Sequence, residues 1–178
     1  MMLADLIVPV DFNGLVLFTW PDLATCLGGA PAEGRDLLRE FTTTDLGDRV
    51  LDAGVTLPVL NLDDGDYRVR VFDAPVPPDP ARRVAFSDPG FVLSVAGQAY
   101  VADAAVFLDW EEGLGWQAVP VPAGRYAATV EGVQHLDDRG AVRAIGYDLV
   151  LLRVDALPAR TAEVRGDSRV PWQALPAR

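Results

Sequence analysis

The densest group of side chains that could do chemistry lies between positions 103 and 116, where four carboxylates accompany two tryptophans. These residues are Asp103, Asp109, Trp110, Glu111, Glu112 and Trp116. Paired carboxylates beside aromatic rings are the ingredients of glycoside hydrolysis and carbohydrate binding. The same residues suit an acidic patch that meets a partner through aromatic anchors, and carboxylates at a strand end are often simply solvated. We therefore predict partner-binding residues here and no catalytic ones.

Nucleophilic and metal chemistry find less support elsewhere in the chain. Cys26 lies in an apolar segment without a basic neighbour, where a thiol packs as a small hydrophobe. His135 precedes a predicted loop, so we expect it to be exposed. The acids around Gly65 lack the spacing of a calcium loop and fit a turn. No phosphate-binding loop, His-Glu-x-x-His site or nucleophile elbow is present. The sequence predicts neither a metal nor a cofactor.

The charge balance restricts the class of partner. Of the 178 residues, 26 are acidic and 15 are basic, every basic residue is arginine, and the formal net charge is −11. This sign disfavours binding to nucleic-acid backbones, and it would steer a basic protein onto an acidic face. The sequence also lacks a signal-peptide pattern and an apolar run long enough for a bilayer. We expect a cytoplasmic protein without membrane contact.

Two short sequence patterns occur twice in the chain and indicate how its strands are arranged. Residues 16–20 (Val-Leu-Phe-Thr-Trp) reappear as 106–110 (Val-Phe-Leu-Asp-Trp), and the Gly-x-Tyr phrase in 60–67 reappears, looser, in 119–126. An aspartate precedes the first phrase in each copy, and it could accept backbone N–H bonds at a turn. The pattern predicts one β-unit used twice about an approximate twofold axis. The repeat pairs six expected core residues: Phe18, Trp20, Tyr67, Phe107, Trp110 and Tyr126.

Glycine, proline and alternating apolar residues predict an all-β, β-sandwich-like fold with one short helix at 31–41. Strands are expected at 49–62, with an edge or bend at Pro58, and across 99–110. The predicted units are a first half-repeat (1–73) with a helical insertion at about 21–57, a Pro-rich hinge (74–89), a second half-repeat (90–155) and an extended basic tail (156–178). The tail could wrap the acidic body or stay mobile, and Trp172 favours docking on this chain or on a partner.

The two Gly-x-Tyr stretches, 65–71 and 124–130, carry a resemblance to a known group of proteins. Each stretch continues into alternating residues, and this pattern resembles small bacterial all-β proteins of uncertain role. Among these are the nuclease inhibitor of the bacterial competence system and immunity proteins of polymorphic toxin systems. The resemblance implies a non-catalytic acidic protein that binds another protein. It implies no functional residues.

Three functions follow from these observations. The first is an immunity-like or inhibitor protein that binds a basic partner. The second is a small-molecule or carbohydrate-binding β-sandwich, or a hydrolase, built on residues 103–116. The third is a homodimeric structural module that uses an exposed sheet face or the tail with Trp172.

Overall fold

The computed structural model describes residues 1–173 and 175, and strands dominate this part of the chain. Strands β1–β9 span Met2–Val10, Gly14–Trp20, Thr56–Leu60, Gly65–Phe72, Arg82–Val95, Gln98–Asp103, Gln117–Val119, Gly124–Leu136 and Val142–Val154. Helices α1–α3 span Asp22–Leu27, Leu37–Thr43 and Leu46–Asp52, and a 3-10 turn covers Ala104–Phe107.

Two sheets pack face to face around the main core. Sheet 1 has the order β1-β4-β9-β8-β5, in which β4 and β9 are parallel, and sheet 2 has the order β3-β2-β6-β7. Side chains alternate across each strand, so one face of each sheet supplies the core. Leu17 and Leu57 of sheet 2 share this core with Val69 and Leu149 of sheet 1, and all four are fully buried. The predicted β-sandwich is confirmed.

A helical layer covers the outer face of sheet 2. Val16 and Phe18, which alternate with the core residues of β2, pack with Leu23, Leu37 and Val50 of the helices. The hydrophobic effect explains this layer, because β2 carries apolar side chains on both faces and both faces must be covered. The molecule therefore has three layers, namely sheet 1, sheet 2 and the helices.

The helical layer corrects two predictions. Three helices replace the single helix at 31–41, because the Asp36 carboxylate accepts a 2.8 Å hydrogen bond from the Arg39 amide and sets the start of α2 at Leu37. The predicted strand at 49–62 is shortened to β3. Leu46 and Val50 lie one turn apart on helix α3 and pack on the aromatic cluster, which consists of Phe18, Trp20, Phe107, Trp110 and Trp116. The edge prediction for Pro58 is confirmed, because β3 ends sheet 2.

The repeat is reproduced only locally. Residues 16–20 lie in β2, whereas 106–110 lie in the 3-10 turn and the loop after it, so the predicted strand across 99–110 is wrong beyond Asp103. Each sheet also takes strands from both halves, and the duplication is not confirmed. The Gly-x-Tyr turns are alike: the Tyr67 hydroxyl donates to the Asp63 carbonyl at 2.8 Å, and Tyr126 donates to Pro122 at 2.5 Å.

The Pro-rich segment is shorter than predicted. Strand β5 begins at Arg82, so 82–89 of the predicted hinge is strand. Pro89 is tolerated because β5 is an edge strand and its pairing with β8 shifts register between Pro89 and Phe91.

The described part of the tail lies as an arm across both sheets. The Ala162 amide donates to Gly90 of β5 at 3.1 Å, and the Ser168 amide donates to Leu60 of β3 at 3.3 Å. The Tyr147 hydroxyl donates to the Ser168 carbonyl at 2.7 Å. Of the two docking alternatives for Trp172, on this chain or on a partner, its 61% exposure agrees with the second. Residues 174 and 176–178 of the predicted tail lie outside the described residues.

Candidate partner-binding loop

Asp103 fixes the start of the candidate site. One oxygen of its carboxylate accepts a 2.8 Å hydrogen bond from the Ala105 amide and so begins the 3-10 turn, while the other accepts a 2.6 Å bond from the Asp11 amide. The predicted turn-stabilising role of this aspartate is therefore seen. Because both of its carboxylate oxygens accept hydrogen bonds from backbone amides, Asp103 stabilises the chain just before the next loop. We call this loop, residues 108–116, the acidic loop.

The two tryptophans of the acidic loop point inward. Trp110 is 2% exposed, and its ring lies 5.2 Å from that of Trp20 and 5.4 Å from that of Trp116. Trp116 also packs edge-on against Phe18 at 4.9 Å. Aromatic pairs at these separations stabilise beyond simple area burial. Trp110 is therefore buried and Trp116 half-buried, and both pack at the base of the loop.

Three carboxylates of the loop face solvent. Asp109, Glu111 and Glu112 are all exposed. The Glu112 carboxylate also accepts a 3.0 Å hydrogen bond from the indole N–H of Trp20, which ties the outer part of the loop to the aromatic cluster. The structure thus brings these three predicted carboxylates to one loop, with Asp103 beneath it.

Two exposed leucines share the loop and were not predicted from the sequence. Leu108 is 42% exposed and Leu114 is 60% exposed. Leu114 stands between Gly113 and Gly115, whose φ angles are +83° and +72°. Glycine adopts such angles without strain, so the chain reverses here and turns Leu114 outward. The Gly-Leu-Gly triplet was the available sequence signal.

A neighbouring segment before α2 is held against the loop. The Gly34 amide donates to the Trp110 carbonyl at 2.9 Å, and the Trp110 amide donates to the Arg35 carbonyl at 3.2 Å. Exposed Glu33 precedes this contact and adds a fourth carboxylate beside the loop. The helical insertion therefore contributes to the same surface.

This arrangement suits binding better than catalysis. General acid–base chemistry needs carboxylates in a shielded environment that perturbs them, whereas Asp109, Glu111 and Glu112 are solvated. Within residues 1–173 and 175, no group of three or more His, Cys, Asp or Glu side chains could hold a metal ion. In the same part of the chain, no helix has the length and apolar character needed to cross a membrane.

The other residues weighed for chemistry lie apart. Cys26 is half-buried in α1, while His135 is in β8 and only 9% exposed, so the expectation of an exposed histidine is wrong. Strand β8 runs one residue past His135 and places it opposite Arg82. Burial and the positive charge of Arg70 lower the pKa of His135.

An ion-pair network on sheet 1 was missed by the sequence analysis. Asp148 is fully buried, and its carboxylate accepts two 2.7 Å hydrogen bonds from Arg70 and one of 2.6 Å from Arg82. Arg82 also pairs with Glu131. Each charged group of this network has an oppositely charged hydrogen-bonding partner within it, so we assign the network a structural role.

The fold and the acidic loop define a β-sandwich protein with a helical outer layer and an acidic exposed loop. Two solved structures are similar to it. One is ComJ from Bacillus subtilis, described as an inhibitor of the DNA degrading activity of NucA, with 9% identity and a TM-score of 0.48 over 86% of this chain and 98% of ComJ. The other is the protein of crocagin biosynthetic gene J, with 17% identity and a TM-score of 0.50 over 84% of this chain and 96% of that chain.

The second similarity shows a shared fold. The resemblance to the nuclease inhibitor of bacterial competence, inferred from the Gly-x-Tyr stretches, is confirmed as a weak similarity of structure. Comparison with protein-family models and with curated proteins found no match.

Proposed function

We propose that this protein binds a basic protein through the acidic loop and acts as an inhibitor or immunity-like factor toward it. The observation that carries the proposal is the make-up of the loop. Exposed Asp109, Glu111 and Glu112 accompany exposed Leu108 and Leu114 on a base of packed tryptophans.

Each part of the loop supports a step of binding. The carboxylates add to a net charge of −11 and would attract a cationic surface and speed encounter. The leucines offer apolar area that becomes desolvated on contact, as the centre of an interface requires. The backbone bonds to Gly34 and Arg35 fix the loop before binding, and a preorganised loop loses less entropy when a partner docks.

ComJ is described as an inhibitor of the DNA degrading activity of NucA. A nuclease, whose substrate is anionic, is one kind of partner with the basic surface that the acidic loop would meet.

Charge removal on the loop tests the proposal. The immobilised chain should retain a basic protein from its native host at low salt and release it at high salt, because screening weakens exposed charge pairs. Asp109→Asn, Glu111→Gln and Glu112→Gln together should weaken that binding about tenfold, at about 0.5 kcal/mol for each exposed pair.

A matched control removes the same number of charges elsewhere. Asp64, Asp138 and Glu163 are exposed and scattered over other elements, so Asp64→Asn, Asp138→Asn and Glu163→Gln should leave binding unchanged. Equal losses in both triple variants would mean that only net charge matters. Unchanged binding in the loop variant would also contradict the proposed site.

A further inference from the structure

We propose that the cavity between the helices and sheet 2 binds a small, uncharged, mainly apolar molecule that carries one hydrogen-bonding group. The cavity has a volume of about 360 Å³. Helices α2 and α3 cover one side, the outer faces of β2 and β3 form the other, and Val164 of the tail closes part of the rim. This site is separate from the acidic loop.

The walls of the cavity are largely hydrocarbon. They include Val16, Leu38, Phe41, Val50, Pro58 and Phe107. Water in such a space finds few polar partners, and an engineered apolar cavity of about 150 Å³ stays dry and accepts benzene. Pockets that bind small molecules have volumes of about 300 Å³ or more.

Thr56 supplies the polar contact. Its side chain is on the cavity side of β3, because the neighbouring Leu57 and Val59 face the main core. The residue is only 4% exposed, and the described residues give its hydroxyl no hydrogen bond. By contrast, Thr42 and Thr44 donate to helix carbonyls at 2.9 and 2.7 Å. A ligand hydroxyl or carbonyl in the cavity would form a hydrogen bond with the Thr56 hydroxyl.

The charge at the rim favours an uncharged ligand. Among the described lining residues, Asp48 is the single charged one, and Arg160 donates to it at 3.0 Å. Arg160 also donates to Asp52 at 2.8 Å. The nearby cation is therefore already paired, so a carboxylate ligand would meet Asp48 without gaining a counter-charge.

The test uses 1-octanol, which joins one hydroxyl to an apolar chain, and octanoate, which has a similar chain but a negative charge. Calorimetry on the full chain should show saturable binding of one octanol, with octanoate about tenfold weaker or more. Benzene, which lacks a hydroxyl, should also bind. The absence of saturable binding for both octanol and benzene would overturn the proposal, and so would tighter binding of octanoate.

Two variants locate the site. Ala104→Leu fills the cavity from its wall and should abolish binding, while Ala118→Leu on the exposed face of β7 adds the same atoms elsewhere and should not. Thr56→Val keeps the shape and should weaken octanol several-fold while sparing benzene. Folding of each variant is checked by circular dichroism and its Tm. If Ala104→Leu does not fold, the Thr56→Val comparison decides, and an equal effect on both probes overturns the proposal.

Discussion

Asp148 is fully buried, and arginines from two other strands of its sheet bind its carboxylate. In the sequence, Arg70 alternates with apolar Tyr67, Val69 and Val71, and this period-two pattern places it on the face of β4 away from the core. The sequence could not identify its partner, because Asp148 is far along the chain and comes beside Arg70 only through the parallel pairing of β4 with β9.

We predict that Asp148→Asn lowers the free energy of unfolding by about 3–5 kcal/mol, because it leaves the buried Arg70 guanidinium without a counter-charge and leaves Arg82 with Glu131 alone. Asp5→Asn is the control, since the Asp5–Arg68 pair is partly exposed and contributes about 1 kcal/mol or less. Urea denaturation measures both. A similar decrease in the free energy of unfolding in both variants would contradict the larger contribution predicted for the buried network.

His135 makes stability depend on pH. Burial, together with the positive charges of Arg70 and Arg68, lowers the pKa of His135 from its ordinary value of 6.5, while Asp148 and Asp5 act in the opposite direction. The unfolded chain therefore takes up the proton at a higher pH than the folded chain does. The contribution of neutral His135 to the free energy of unfolding should be fully present above about pH 6.5 and should decrease as the pH falls below that value.

His135→Asn should flatten this dependence, measured as the difference in unfolding free energy between about pH 7.5 and about pH 5.5. The chain has one histidine, so the difference between wild type and variant reports on this group alone. An equal slope in both proteins would show that His135 ionises alike in the folded and unfolded chains.

At the scale of elements, the sequence predicted the strands with clear alternation and missed those elements whose ends depend on tertiary contacts. Strand β4 follows from the period-two pattern of 67–71. The last four residues of the helix Leu46–Asp52 were predicted as the start of a strand, because seven residues are too few to show helical periodicity. Residues 106–110 read as a strand, yet the hydrogen bonds of Asp103 to backbone amides turn the chain just before them.

The contact between the tail arm and Gly90 of β5 can be tested by substitution. Gly90 has a φ of +93°, and an added Cβ would lie 3.0 Å from the Ala162 amide nitrogen and closer still to the Thr161 side chain. Gly90→Ala should therefore loosen the arm and speed tryptic cleavage after Arg160. Gly166→Ala is a matched control, because nothing lies within 4 Å of its added Cβ. Equal cleavage of both variants would contradict the docking at Gly90.

At the scale of the whole molecule, the acidic charge and the β-sandwich were predictable from composition and pattern. The candidate site was predictable in part. The cluster of Asp109, Glu111 and Glu112 follows from their spacing. The inward direction of Trp110 depends on its packing against Trp20 of β2, which is far away in the sequence, and against Trp116 at the other end of the loop. The exposure of Leu108 depends in the same way on the packing around it.

A photoreactive amino acid in place of Leu114 tests directly whether the acidic loop binds a partner. Leu114 lies on the acidic loop, and Leu152, which is 41% exposed on β9, is the control position. In cells of the native host, the probe at position 114 should form an adduct with a basic protein that high salt prevents, and the probe at position 152 should not form it. No adduct at position 114, or the same adducts at both positions, would contradict partner binding through the acidic loop.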